Sequence, residues 1–334
     1  MKRRTITGIL AGILMLLLII DPETQLMGAR EGITLCIATV IPSLFPFFVL
    51  TGLMTSAFAG MRSTAFRCLG RLCGMTPGTD PLLIIGLLGG YPAGAQAVSQ
   101  AWRDGLIDDR EARRMIGFCN NPGPAFLFGI CGPMFPSFWM VWALWGVIIL
   151  SSVFTAAWLP SERCRPLTLR QKMVTTLPKA LESGVKTAGI VCGWVILFRI
   201  LIAYLQKWAF AGLTPAWSCL LSGLLELTNG CCGLAAIPET GIRFMIAAVL
   251  LTCGGVCVGM QTASLTGALG IGSYLRGKLI QAMFAAALAL PVSAALETGF
   301  SPYVLPFCVP CIIFLLICGA KHKKRSGNSV PVGV

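Results

Sequence analysis

Gly86-Leu87-Leu88-Gly89-Gly90-Tyr91-Pro92-Ala93-Gly94-Ala95-Gln96-Ala97 lies at the centre of an apolar segment, Leu82 to Ala101. A membrane-crossing helix needs ~20 apolar residues, and this segment has the length but not the continuity. The paired glycines open backbone conformations that other residues avoid, and Pro92 removes an amide donor and clashes with the preceding turn. The segment therefore reads as helix, break, helix: a hairpin that enters the membrane and returns on the same side.

A second segment, Trp217 to Ile237, repeats the pattern as Gly223-Leu224-Leu225-Glu226-Leu227-Thr228-Asn229-Gly230, with the break expected at Thr228-Asn229-Gly230. The stretches downstream of the two hairpins are also alike. Arg113-Arg114-Met115-Ile116 opens a helix interrupted by Asn120-Asn121-Pro122-Gly123-Pro124, and Arg243-Phe244-Met245-Ile246 opens one interrupted by Gly254-Gly255. Upstream, Glu31-Gly32 and Glu182-Ser183-Gly184 each begin a full span. The order span, hairpin, broken span, span thus occurs twice, an inverted-topology repeat once loop charge is taken into account.

The chain has 334 residues, of which 56% are hydrophobic and 12% charged. A soluble domain carries about 25% charged residues, so lipid is the solvent this composition suits. Apolar runs give the spans Thr5 to Ile20, Ile33 to Phe58, Met115 to Met134, Phe138 to Leu159, Ser183 to Leu205, Phe244 to Leu265, Leu279 to Leu296 and Tyr303 to Ala320. The fold class expected is an all-α polytopic membrane protein with about eight transmembrane helices and two re-entrant helical hairpins in an inverted repeat. Its regions are an N-terminal transmembrane helix and external loop (1–30), a first repeat (31–160), a basic cytoplasmic loop (161–180), a second repeat (181–298), and a last transmembrane helix with a basic tail (299–334).

The net charge of +13 raises the question of nucleic acid, and the placement of the basic residues answers it. They occupy alternate loops: Lys2 to Arg4, Arg62 to Arg71, Arg103 to Arg114, Arg163 to Lys179, Arg276 with Lys278, and Lys321 to Arg325. The loops between are neutral or acidic, which is the positive-inside pattern, so the chain is expected in the cell (plasma) membrane with both termini cytoplasmic and no nucleic-acid partner. The fifteen cysteines lie mostly in apolar runs, where a small polarizable side chain packs well. Cys308 with Cys311 and the doublet Cys231-Cys232 are the candidate soft-metal ligands, but the one histidine, His322, sits in the basic tail, and no metal or cofactor is expected.

Breaking a helix inside a bilayer frees backbone groups that cost several kcal/mol if unpaired, so breaks survive around protein-lined or water-lined cavities. The polar residues at the breaks are therefore the candidate solute-binding set: Gly90, Tyr91, Pro92 and Gln96; Asn120 and Asn121; Glu226, Thr228 and Asn229; and Gln261. Glu226, flanked by Leu224, Leu225 and Leu227, is the costliest to bury and the candidate for coupling; Arg199 is its candidate partner, the alternative being that Arg199 snorkels to the outer interface. No phosphate-binding loop, metal-ligand cluster or nucleophile with its base is legible, so an enzyme is not expected.

The combination GLLGGYPAGAQ (86–96), a basic connector, RRMIGFCNNPGPAFLFG (113–129), GLLELTNG (223–230) and Gly254-Gly255 with Gln261 resembles the YlbJ family of sporulation integral membrane proteins. Those proteins carry the "nucleoside recognition" or Gate domain that also occurs in concentrative nucleoside transporters and in FeoB-type ferrous-iron transport proteins. The resemblance runs from about Arg30 to Ala320 and implies a transporter-like fold with a role in making the spore coat or cortex. The function expected is secondary transport of a small polar solute, with a non-transporting sporulation scaffold and a metal-ion permease using Cys231, Cys232, Cys253 and Cys257 as alternatives. The partners expected are the lipid bilayer, the solute and, as one option, further copies of the chain.

Overall fold

A computed structural model describes residues 2–58, 64–161 and 175–298. Within them the secondary structure is helical throughout. The expected span Tyr303 to Ala320, the basic tail with His322, the pair Cys308 and Cys311, and most of the basic loop after Arg163 lie outside the described residues.

The chain opens with α1 (Lys2–Ile20), then α2 (Pro22–Leu35) and α3 (Ile41–Phe58), which a π-helical turn at Cys36–Val40 joins into one long rod. After α4 (Thr64–Leu72) comes the first hairpin, α5 (Asp80–Leu88) and α6 (Ala93–Arg103). Next is α7 (Asp109–Ile116), a break, and α8 (Pro124–Phe126), which runs on through a π turn and a 3-10 turn to Met134. The long helix α9 (Phe138–Trp158) closes this half. The second half repeats the order: α10 (Leu177–Trp208), the hairpin α11 (Pro215–Leu225) and α12 (Leu227–Gly233), the broken pair α13 (Thr240–Cys253) and α14 (Gly255–Thr266), and α15 (Gly272–Thr298).

Five helical stretches among the described residues are long and apolar enough to cross a membrane: Pro22–Ala57, Phe138–Trp158, Leu177–Trp208, Thr240–Leu269 and Gly272–Glu297. Their outward faces are apolar. On α15, Leu275, Leu279 and Met283 are exposed at helical spacing, while Tyr274, Lys278 and Gln281 on the other face are buried. Large apolar side chains pointing outward and polar ones inward is the reverse of a soluble helix and suits hydrocarbon as the surrounding medium. The protein is an integral membrane protein. The expected span Met115 to Met134 is interrupted, as the Asn120 to Pro124 run implied: residues 117–123 leave the helix, and the part from Pro124 to Met134 continues as an apolar half-helix.

Small residues let the long helices approach. Thr24, Gly28, Gly32 and Cys36 form a buried stripe at four-residue spacing on the α2 rod, which packs along α10. A Cβ at Gly28 would stand 2.9 Å from the Ile200 Cα, and one at Gly32 3.0 Å from the Ile196 Cα. This is the small-xxx-small contact of membrane helix pairs, where dispersion between close backbones replaces a hydrophobic driving force that lipid cannot supply. Arg199 on α10 pairs with Glu31 on α2, so it is not the partner of Glu226.

The halves interlock reciprocally. α6, the returning arm of the first hairpin, packs on α14, which lies beyond the second break. The returning arm of the second hairpin, α12, packs on the turn just beyond the first break, Leu127–Cys131. In the same way α9 packs on α13 and α15 on α7. The core lies where the two hairpins and the two breaks meet.

Candidate functional site

Each hairpin tip touches the break of its own half. Gly90, in the left-handed region at φ +81°, faces Gly123, whose added Cβ would lie 3.0 Å from the Gly90 Cα. Both arms of this hairpin press on the chain just before the break: Cβ atoms at Gly86 and Gly94 would fall 1.8 and 2.0 Å from the Cys119 carbonyl oxygen. In the second half the arms meet at Gly223 and Gly230, where a Cβ on Gly230 would lie 2.3 Å from the Gly223 Cα. Gly255 in turn presses on the carbonyls of Gly223 and Leu224, at 2.8 and 3.0 Å from its would-be Cβ.

The second hairpin breaks at Glu226, not at Thr228-Asn229-Gly230 as the sequence suggested. Glu226 is extended (φ −140°, ψ 116°) and caps α12: its carboxylate accepts hydrogen bonds from the Thr228 N–H at 2.9 Å and the Asn229 N–H at 2.7 Å. Two of the amide donors that a helix start leaves open are met by one side chain, and the carboxylate is held by the helix it caps. Thr228 and Asn229 are helical, and Gly230 serves the close approach to Gly223 and not a turn.

The second broken helix turns at Gly254 and Gly255, at φ +77° and +72°. The break frees carbonyls at the end of α13, and the hydroxyl of Tyr91 donates to two of them, Leu251 O at 3.1 Å and Thr252 O at 3.4 Å. The first hairpin tip thus satisfies the backbone of the second break. Around this junction lies a narrow cavity of about 30 Å³, lined by Tyr91, Pro122, Glu226, Thr228 and Gln261 among apolar neighbours. A cavity needs ~10–15 Å³ to hold one water, so this one has room for little more than water in this conformation.

Of the ten candidate binding residues, four line the cavity: Tyr91, Glu226, Thr228 and Gln261. The other six do not. Gly90 and Pro92 are buried in the tip, and Gln96 joins the first hairpin to α10, donating to the Ser183 hydroxyl at 2.9 Å and accepting from the Thr187 hydroxyl at 3.2 Å. Asn229 contributes its backbone N–H to Glu226. Asn120 and Asn121, fully buried, are spent on protein partners. Asn120 accepts from the Ala95 N–H at 3.2 Å and donates to the Thr262 hydroxyl at 3.1 Å, and Asn121 donates to Phe118 O at 2.7 Å. Amides in a medium without water take whatever partner the protein offers, which is why they close the break instead of facing the cavity.

The sequence reading missed Lys278. Counted there with Arg276 as a loop charge, it is 2% exposed in the bundle interior. Its ammonium donates to Gln281 Oε1 at 2.7 Å and to Asn121 Oδ1 at 3.3 Å, and stands 5.0 Å from the centre of the Tyr91 ring. Gln281 also donates to Asn121 Oδ1, at 2.7 Å. The ammonium is held by amide oxygens and an aromatic face, and the described residues place no carboxylate in an ion pair with it. Tyr91 belongs to both the cavity and this cage. Among the described residues no three His, Cys, Asp or Glu side chains converge as a metal-ligand set.

No protein-family model matches the chain, and no solved structure matches it. Comparison with curated proteins finds the sporulation integral membrane protein YlbJ of Bacillus subtilis (strain 168), 30% identical over 113 residues. Those residues make up 32% of this chain and 27% of that protein, so the likeness spans about a quarter of the relative's length and a third of the chain, short of the Arg30 to Ala320 stretch over which the motifs resemble the family.

Proposed function

We propose that the protein is a secondary transporter of a small polar solute that acts in sporulation. It lies in the plasma membrane with both termini cytoplasmic, crosses it about eight times, and carries α5–α6 and α11–α12 as re-entrant hairpins of an inverted repeat. The observation that carries this reading is the convergence of two hairpin tips and the first helix break on one small cavity that Tyr91, Glu226, Thr228 and Gln261 line, with Tyr91 also bonded to carbonyls freed at the second break. Irregular backbone in a membrane protein is tolerated where it is buried in protein or lines a cavity, and discontinuous helices at a repeat interface are how many transporters build a solute site. The role in sporulation leans on the likeness to YlbJ, whose name states it for that protein.

Binding a solute requires the cavity to grow by displacement of the hairpins, of which the first joins the rest through a few polar bonds at Gln96, Asn120 and Tyr91. The test is electrogenic or isotopic uptake into proteoliposomes across a panel of nucleosides, amino acids, sugars and small organic acids. Uptake of one class, lost in Tyr91→Ala and Gln261→Ala while the protein stays folded, is the expected result. No flux of any solute, together with normal sporulation of cells carrying those two variants, refutes transport and leaves a membrane scaffold as the reading.

A further inference from the structure

Away from the central cavity, a second and larger one of about 290 Å³ opens where α7, the end of α9 and the start of α15 meet. Four guanidinium groups line it, from Arg110, Arg113, Arg114 and Arg276, with Glu111 as the one carboxylate among the described residues of its wall.

Charge decides what such a cavity accepts, so the state of each group matters. Arg114 donates to main-chain carbonyls of Leu159, Gly74, Cys73 and Ala156, and Arg113 to those of Leu269 and Ala268. Neutral carbonyls fix a guanidinium without cancelling its charge, so these bonds hold both groups in place as cations, Arg113 being paired also with Asp109. Glu111, in the wall, has both carboxylate oxygens bonded to Thr76: it accepts from the Thr76 N–H at 2.8 Å and from the Thr76 hydroxyl. Two further carboxylates stand at the first turn of α7. Asp108 caps that helix, accepting from the Glu111 N–H at 2.8 Å, and Asp109 accepts from Trp102 Nε1 at 2.8 Å and Arg113 at 3.2 Å. Asp109 thus offsets part of the Arg113 charge, while Arg276 is exposed at the cavity's edge. Beyond Arg276, α15 continues as the exposed apolar stripe Leu275, Leu279 and Met283.

We propose that this cavity binds a phosphate ester, Arg113 and Arg114 lending positive charge held in place by backbone carbonyls and Arg276 closing on the bound anion. Guanidinium groups match phosphate oxygens in planar two-point contacts, and basic pockets between membrane helices take phospholipid head groups. The apolar stripe next to Arg276 gives an acyl chain a surface to follow, and a soluble phosphate monoester uses the same cations without it. This site does not depend on the transport reading.

The experiment tracks thermal unfolding of the full chain in a neutral detergent, by tryptophan fluorescence at matched ionic strength. Phosphatidylglycerol, phosphatidylcholine and glycerol 3-phosphate are titrated separately. A rise in midpoint with phosphatidylglycerol and not with phosphatidylcholine identifies an anionic lipid head group. An equal rise with glycerol 3-phosphate identifies a soluble phosphate ester. In either case Arg276→Gln weakens the apparent affinity by about tenfold, the loss of one charge-assisted contact. Arg276→Lys restores part of it, and Arg103→Gln, whose arginine is bonded to Ser99 and Gln100 outside the cavity, leaves it unchanged. The proposal is overturned if no phosphate compound shifts the midpoint, or if Arg103→Gln reduces the shift as much as Arg276→Gln.

Discussion

Lys278→Met replaces a buried ammonium with an apolar side chain of similar length, and the structure sets the sign of its effect on stability. Three losses are read from the cage. Gln281 Oε1 loses its bond from Lys278 and is left buried, at a cost of about 1–3 kcal/mol. The contact with the Tyr91 ring goes, worth about 0.5–2 kcal/mol. Asn121 Oδ1 keeps the 2.7 Å bond from Gln281 and loses little. Against these stands the cost of desolvating an ammonium that has no carboxylate beside it, several kcal/mol even after relaxation. The terms are of similar size with the last the largest, so Lys278→Met is expected to be as stable as the parent or more so. Gln281→Leu is the opposite case. It leaves the ammonium with one amide oxygen at 3.3 Å and costs about 2–3 kcal/mol, since hydrogen bonds to charged groups are the stronger kind. The double variant returns close to Lys278→Met. Thermal unfolding in lipid nanodiscs, run as a double-mutant cycle, measures all three. If Lys278→Met loses more than about 2 kcal/mol while Gln281→Leu is neutral, the ammonium is not the strained member of the cage and the reasoning is wrong. A lysine kept at a cost to stability is what a transport role predicts, so uptake should fall in the variant that melts no lower.

Gly94→Ala drives a Cβ to 2.0 Å from the Cys119 carbonyl oxygen and should cost about 3 kcal/mol or more, seen as loss of monodisperse protein on size-exclusion chromatography, whereas Gly146→Ala, with nothing within 4 Å in the helix α9, should gain up to about 1 kcal/mol. Asn120→Ala strands the Ala95 N–H and uncouples the first hairpin from α14; a loss of about 2 kcal/mol is expected, with faster amide exchange at α5–α6 by mass spectrometry. At the turn between α1 and α2, the Asp21 carboxyl is held below the ordinary carboxylate range by hydrogen bonds first from Lys207, at 2.6 Å, and then from Thr24. A lowered folded-state value stabilises above the unfolded one and is lost as pH falls through it, so Asp21→Asn should melt below the parent at neutral pH and converge with it in acid.

The breaks were legible because glycine and proline mark them whatever packs around them: Gly89 to Pro92, Asn120 to Pro124 and Gly254-Gly255 all fall where the helices stop. The break in the second hairpin was misplaced by three residues for a physical reason. Asn-Gly is a turn signal, but here Gly230 meets Gly223 across the hairpin, and the cap is a glutamate, outside the usual Ser, Thr, Asp and Asn set. Lys278 was misread because a cation beside an apolar run is assigned to the nearest loop by default. The signal that places it inside was available: Tyr274, Lys278 and Gln281 recur at helical spacing on one face, opposite Leu275, Leu279 and Met283. Side-chain direction was not legible, since whether an amide faces a cavity or a neighbouring backbone depends on partners more than a hundred residues away, as with Asn120 and Thr262.

The two halves repeat an order of elements but not a chemistry, and the difference bears on which part moves. In the second half the polar tip is self-contained: Glu226 bonds the two amides just after it, within its own hairpin. In the first half the polar side chains of the tip find their partners outside the hairpin. Tyr91 reaches the carbonyls of α13, Gln96 reaches α10, and Asn120 links α6 to α14. A tip satisfied within itself can shift as a unit without stranding a buried group. A tip satisfied by three other elements must break those bonds, each costing about 1–3 kcal/mol unless a solute or water replaces it. Opening that begins at the second hairpin therefore costs less, and opening at the first is the step that a bound polar solute would favour by taking over those partners. Amide exchange should then be faster in α11–α12 than in α5–α6 without solute, and the reverse order would refute this asymmetry.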